Sequence, residues 1–134
     1  MIFITLKIII KFNQGVQVSV RNHDIQNLSR MCNETLILAV LAKNKAHGYQ
    51  IVSLTESQTA GRLTLNLGTI YPVLHKLEKD GYIKGSWERE QTQRDRKFYQ
   101  ITAKGKKYLA QRTEEWKSFT NILLNQILGV TIHE

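Results

Sequence analysis

The chain of 134 residues has one cysteine and one proline. Cys32 alone cannot form an intrachain disulfide, so nothing staples the fold, and the composition suits a reducing compartment. A single proline and eight glycines leave little room for long linkers, and the length fits one domain with at most an appendage. Acidic residues are scarce: 11 Asp and Glu stand against 19 Lys and Arg, a formal net charge of +8. Such a balance suits a nucleic acid or another anionic surface. The signatures of common enzymes are missing too, with no Gly-rich phosphate loop, H-E-x-x-H, C-x-x-C or nucleophile elbow. His23, His47, His75 and His133 are scattered without ligand spacing, so no catalytic residue, metal or cofactor is expected. The apolar run at the N-terminus is interrupted by Lys7 and Lys11. It lacks the length of a transmembrane helix and is followed by no small-residue cleavage site. Hence no membrane partner is expected, and the cytoplasm is the expected location.

Residues 1–30 differ in character from the rest. M-I-F-I-T-L-K-I-I-I-K-F is apolar and β-branched, F-N-Q-G signals a turn, and V-Q-V-S-V alternates. The pattern is that of a β-hairpin, and an apolar edge of this kind must pair or pack. The alternative is a translated upstream segment ahead of a start at Met31. Both readings stand at this point.

From Asn33 the period becomes helical. Asn33 can cap, Glu34 suits the positive end of the dipole, and L-I-L-A-V-L-A is apolar nearly all round, which marks a central buried helix. K-N-K-A-H-G breaks it. Tyr49, Ile51, Val52 and Leu54 set a second short helix to about Ser57, and Gln58–Leu65 is a polar connection. The stretch Asn66–Gly81 is then a helix with two dissimilar faces. At about 100° per residue Ile70, Val73, Leu74 and Leu77 share one narrow sector, and Gly81 provides the stop. The opposite face holds Gly68, Pro72, His75, Lys76 and Lys79, flanked by Thr69 and Tyr71. Gly68 removes a side chain where close approach is useful, and the lysines suit a polyanion. Pro72 conflicts with a helix interior at a cost of about 3 kcal/mol. Propensity therefore places the helix start near Thr69, whereas a start at Asn66 puts a strained turn at Gly68. Three helices of which the last has a cationic outer face make a helix-turn-helix arrangement.

After Gly81 the period changes to two. Tyr82–Glu90 and Arg96–Thr102 read as strands, joined by the polar loop Gln91–Asp95, a β-hairpin wing with Arg89, Arg94, Arg96 and Lys97 concentrated around it. Thr102 caps a last helix running to about Leu128, roughly 40 Å at ~1.5 Å per residue. Leu109, Trp116, Phe119, Leu123 and Ile127 recur along it at helical spacing. One small domain cannot cover such a stripe, and packing against a second copy would. The expected fold is mainly α (α+β), a winged helix-turn-helix with a two-stranded wing and a long C-terminal dimerisation helix. The expected divisions are an N-terminal extension (1–30), a DNA-binding domain (31–102) and a dimerisation helix with tail (103–134).

H-G-Y-Q-I at 47–51, G-T-I-Y-P-V-L-H-K-L-E-K-D-G-Y-I at 68–83, Trp87, and R-K-F-Y-Q-I-T-A-K-G at 96–105 resemble the PadR-type transcriptional regulators. The resemblance spans roughly Cys32–Leu128 and points to the compact subgroup with a single C-terminal helix. It implies a homodimer that binds a pseudo-palindromic operator in double-stranded DNA, usually as a repressor. Carried over, Thr69, Tyr71, Pro72, His75 and Lys76 are the expected DNA contacts, alongside Gly68 and Lys79 of the same face. Arg94, Arg96 and Lys97 are the wing candidates. Some compact members bind small aromatic effectors against a tryptophan of the last helix, which offers Trp116 as an effector residue. The other reading of Trp116 is a dimer anchor. A winged helix used for protein–protein contact, without specific DNA binding, is the alternative function.

Overall fold

The computed structural model describes residues 32–89 and 94–129. The sequence-based hairpin over 1–30, and the choice of Met31 as a start, lie outside the described residues. In chain order the elements are α1 (Asn33–Lys43), β1 (Ala46–His47), α2 (Gly48–Gln58), α3 (Leu67–Lys79), β2 (Ile83–Arg89), β3 (Asp95–Ile101) and α4 (Ala103–Leu128). The described residues fall into two units, 32–112 and 113–129, with α4 running through the boundary.

In the first unit the three short helices close over a small antiparallel sheet of order β1-β3-β2. The core draws Ile37, Leu38 and Leu41 from α1, Ile51 from α2, Ile70, Leu74 and Leu77 from α3, and Ile83, Tyr99 and Ile101 from the sheet. The apolar sector expected for α3 is thus the buried one. Leu74 is fully buried, and removing a side chain of that kind costs roughly 2–5 kcal/mol, so the inner face is the main anchor of α3. Its outer face contributes no residue to the buried apolar core.

Several sequence-based boundaries shift. α1 begins with Asn33 inside the helix and buried, while Cys32 occupies the cap position without a side-chain cap bond. Asn33 is therefore not the cap. α3 begins at Leu67, not near Thr69: the Asn66 side chain accepts from the Thr69 N–H at 2.8 Å, and the Ile70 N–H reaches the Asn66 carbonyl at 3.0 Å. The cap bond favours the early start, and Gly68 shows no positive φ, so that start needs no left-handed turn. The proline leaves the Gly68 carbonyl without its helical donor, and Gly68 is exposed to solvent.

The wing is the expected two-stranded hairpin of β2 and β3, and a third strand, β1, joins the same sheet beside β3. Ala46 and His47 pair with Tyr99 and Phe98, a strand too short to show any period. β2 and β3 pair in register from Ile83–Ile101 to Arg89–Asp95, so Asp95, expected in the loop, begins a strand. α4 starts as expected: the Thr102 hydroxyl accepts from the Gly105 N–H at 3.0 Å and donates to the Gly81 carbonyl at 2.7 Å. Leu109 packs, partly buried, against the core of the first unit. In the second unit Phe119, Ile122, Leu123 and Ile127 are exposed, and Trp116 meets Phe119 edge-on at 6.1 Å.

Candidate nucleic-acid interface

The outer face of α3 is presented by two well-defined ends. Asn66 starts the helix, and at the other end Gly81 takes φ +81°, the conformation expected of it. There the Tyr82 N–H reaches the Leu77 carbonyl (2.9 Å) and the Gly81 N–H reaches the Glu78 carbonyl (3.0 Å), which satisfies the last carbonyls. Between them Gly68, Thr69, Tyr71, Pro72, His75, Lys76 and Lys79 are all exposed. A Cβ at Gly68 would meet only the Asn66 side-chain oxygen, at 3.4 Å. The fold itself does not require glycine there.

Tyr71 and His75 of α3 face the wing residues Arg94, Arg96 and Lys97 across one open cavity of about 400 Å³, whose other walls include His47 and Trp87. Five of the expected contact residues therefore line one concavity, while Gly68, Thr69, Pro72, Lys76 and Lys79 lie on α3 outside it. His47 holds the far wall: its Nδ1 accepts from the Gln50 N–H, and the Gln50 side chain accepts from the His47 N–H, closing a capping box on α2. Gly48, next along, leaves room for the Tyr71 ring, whose hydroxyl oxygen would sit 3.0 Å from an added Cβ. The Arg96 guanidinium lies over the Tyr49 ring at 5.3 Å. Cations and exposed aromatic faces side by side suit the sugar–phosphate backbone.

Two lysines of this surface are not free charges. Lys97 Nζ donates to Glu78 Oε1 at 2.7 Å, while Glu78 Oε2 accepts from the Gly85 N–H at 2.9 Å. Lys76 Nζ donates to Glu34 Oε1 at 2.7 Å, and Glu34 Oε2 accepts from the Tyr108 hydroxyl at 3.0 Å. The ammonium bonds hold both carboxyls below their usual range, against a partial opposing effect of burial, and raise both lysines. Glu34 and Glu78 were not expected at the site. Each pair joins residues far apart in sequence, so no local pattern announces it. Tyr49 and Trp87, the latter 71% exposed, also escaped assignment, although both stand in the motifs quoted above. Among the described residues no group of three His, Cys, Asp or Glu is placed to hold a metal, and no helix is long and apolar enough to cross a membrane.

Residues 37–111 match the model of the transcriptional regulator PadR-like family. The chain belongs to that family. Among solved structures, a transcriptional regulator from Clostridium thermocellum is 32% identical, with a TM-score of 0.66 over 72% of this chain and 91% of that one. Bacillus subtilis PadR in complex with operator DNA is 29% identical, with a TM-score of 0.55 over 60% of this chain and 45% of that one. The transcriptional regulator YqjI of Escherichia coli is 25% identical over 99 residues, 74% of this chain and 46% of its own. This PadR-like chain thus spans about half the length of those last two proteins. The winged helix expected from the sequence is the family's fold, with its long C-terminal helix.

Proposed function

We propose that this PadR-like protein binds double-stranded DNA as a homodimer and acts as a repressor at a pseudo-palindromic operator in the cytoplasm. The observation that carries the reading is the juxtaposition of Tyr71 and His75 with Arg94, Arg96 and Lys97 around one concavity, beside an exposed α3 face. The operator complex of the Bacillus subtilis relative supports it. In this reading α3 enters the major groove. Thr69, His75 and Lys79 reach base edges or flanking phosphates, Gly68 and Pro72 let the backbone approach, and the wing arginines take the adjacent strand. Phe119, Leu123 and Ile127, with Trp116, form the contact between copies and set two α3 helices about 34 Å apart. A small aromatic effector would seat against Trp116 and weaken binding by favouring another spacing.

The test is a fluorescence-anisotropy titration with duplex DNA from upstream of the protein's own gene, with a scrambled duplex as control, at two salt concentrations. Tight, salt-sensitive binding to the first and weak binding to the second is the expected result. If a random-sequence selection also yields no preferred duplex, the winged helix is a protein-contact module instead.

A further inference from the structure

Lys76 was expected to supply attraction for DNA, yet its ammonium is engaged. We propose that Glu34 withholds Lys76 from DNA phosphates, making Glu34 a positioning residue that weakens the grip on arbitrary sequence. The inference rests on the DNA-binding reading above. Both Glu34 oxygens are occupied, one by Lys76 at 2.7 Å and one by the Tyr108 hydroxyl at 3.0 Å. Tyr108 is itself held, stacked on Tyr82 with ring centroids 4.1 Å apart. Tyr82 is fixed in turn by its N–H bond to Leu77 at the end of α3. Glu34 also lies in the first turn of α1, where the helix dipole favours a negative charge. The asymmetry of exposure completes the picture: the carboxylate side chain is 24% exposed and the lysine 64%. The anion is fixed in place and the flexible ammonium comes to it. A phosphate arriving at this edge of α3 meets a neutral pair.

Counterion release counts only cations that neutralise phosphates, each adding about −0.9 to the slope of log K against log salt. The experiment titrates a random-sequence duplex with the full chain over a salt series, for the native protein, Glu34→Gln, and Glu34→Gln with Lys76→Met. Thermal melts establish that each variant is folded. Glu34→Gln should bind several-fold more tightly, with a slope steeper by up to about 0.9 as Lys76 is released. The double variant has the native net charge and should return to the native slope and affinity. An unchanged slope in Glu34→Gln overturns the proposal. A double variant that binds more weakly with a shallower slope also overturns it, because Lys76 then contacts DNA despite its carboxylate. If the native protein shows no salt-dependent binding, the DNA reading itself fails and takes this proposal with it, an outcome the native titration alone identifies.

Discussion

Gly68 separates what folding needs from what binding needs. Its φ is ordinary and an added Cβ would make only a van der Waals contact with Asn66. In a helix, alanine is favoured over glycine by about 0.5–1 kcal/mol. Gly68→Ala should therefore raise the melting temperature by up to a few degrees, while weakening specific DNA binding about tenfold or more through the lost backbone approach. Parallel thermal melts and anisotropy titrations check both signs, and a stable variant with unimpaired binding would remove Gly68 from the interface. The two paired carboxylates give a second prediction at this scale. Glu34 and Glu78 are depressed below the carboxylate value of 4.5, first by their lysine hydrogen bonds. A depressed folded pKa contributes stability that is present above pH 4.5 and is lost as pH falls through the folded value. Denaturant midpoints measured from neutral pH downward should fall through that window, and the fall should be shallower in Glu34→Gln and in Glu78→Gln. Neither carboxylate could be picked from the sequence, because Lys76 and Lys97 lie 42 and 19 positions from their partners and meet them only in the folded chain.

Between elements, the critical join is where the sheet hands over to α4. Gly105 is buried with an ordinary φ, and an added Cβ would collide with the Tyr82 carbonyl oxygen and press on Ile101 at 2.8 Å. That carbonyl is main chain and is held by the Thr102 N–H at 3.0 Å. Here space, not backbone freedom, demands glycine. Gly105→Ala should cost about 3 kcal/mol, the upper end for overpacking, because the obstacle is backbone. Urea denaturation measures it, and a loss below about 1 kcal/mol would mean that α4 can shift on its seat. The elements differ in how far they were legible. The end of α3 was readable because Gly81 acts locally, whereas its start was open between Thr69 and Asn66, since propensity weighs Pro72 without the Asn66 cap bond. β1 was invisible, since two residues carry no period and their strand character comes from pairing with Tyr99 and Phe98. Leu109 fits the spacing of the helical stripe, but spacing alone cannot tell a core-facing leucine near the start of α4 from an exposed one further along.

For the whole molecule the question is what the far half of α4 is for. Phe119, Ile122, Leu123 and Ile127 are 52%, 66%, 45% and 57% exposed; Phe119, Leu123 and Ile127 recur every four residues, and Ile122 widens the stripe. Water contact over so many large side chains is unfavourable by about 25 cal/mol per Å², and a second copy related by a two-fold axis buries the same stripe on both chains at once. The DNA-binding reading needs that copy. One α3 reads a single half-site, whereas two tethered α3 helices gain affinity by effective concentration, commonly 10²–10⁴-fold by rough count. Leu123→Glu places a charge in the middle of the stripe, outside the unit formed by residues 32–112. It should convert the protein to a monomer in sedimentation velocity, keep the circular dichroism of the winged helix, and lower operator affinity by at least about 100-fold. Affinity for an isolated half-site should hardly change. A variant that stays dimeric and binds the operator normally would place the contact between copies elsewhere. A monomer with undiminished operator affinity would mean that one α3 and its wing suffice, and that the long helix serves some purpose other than spacing two reading heads.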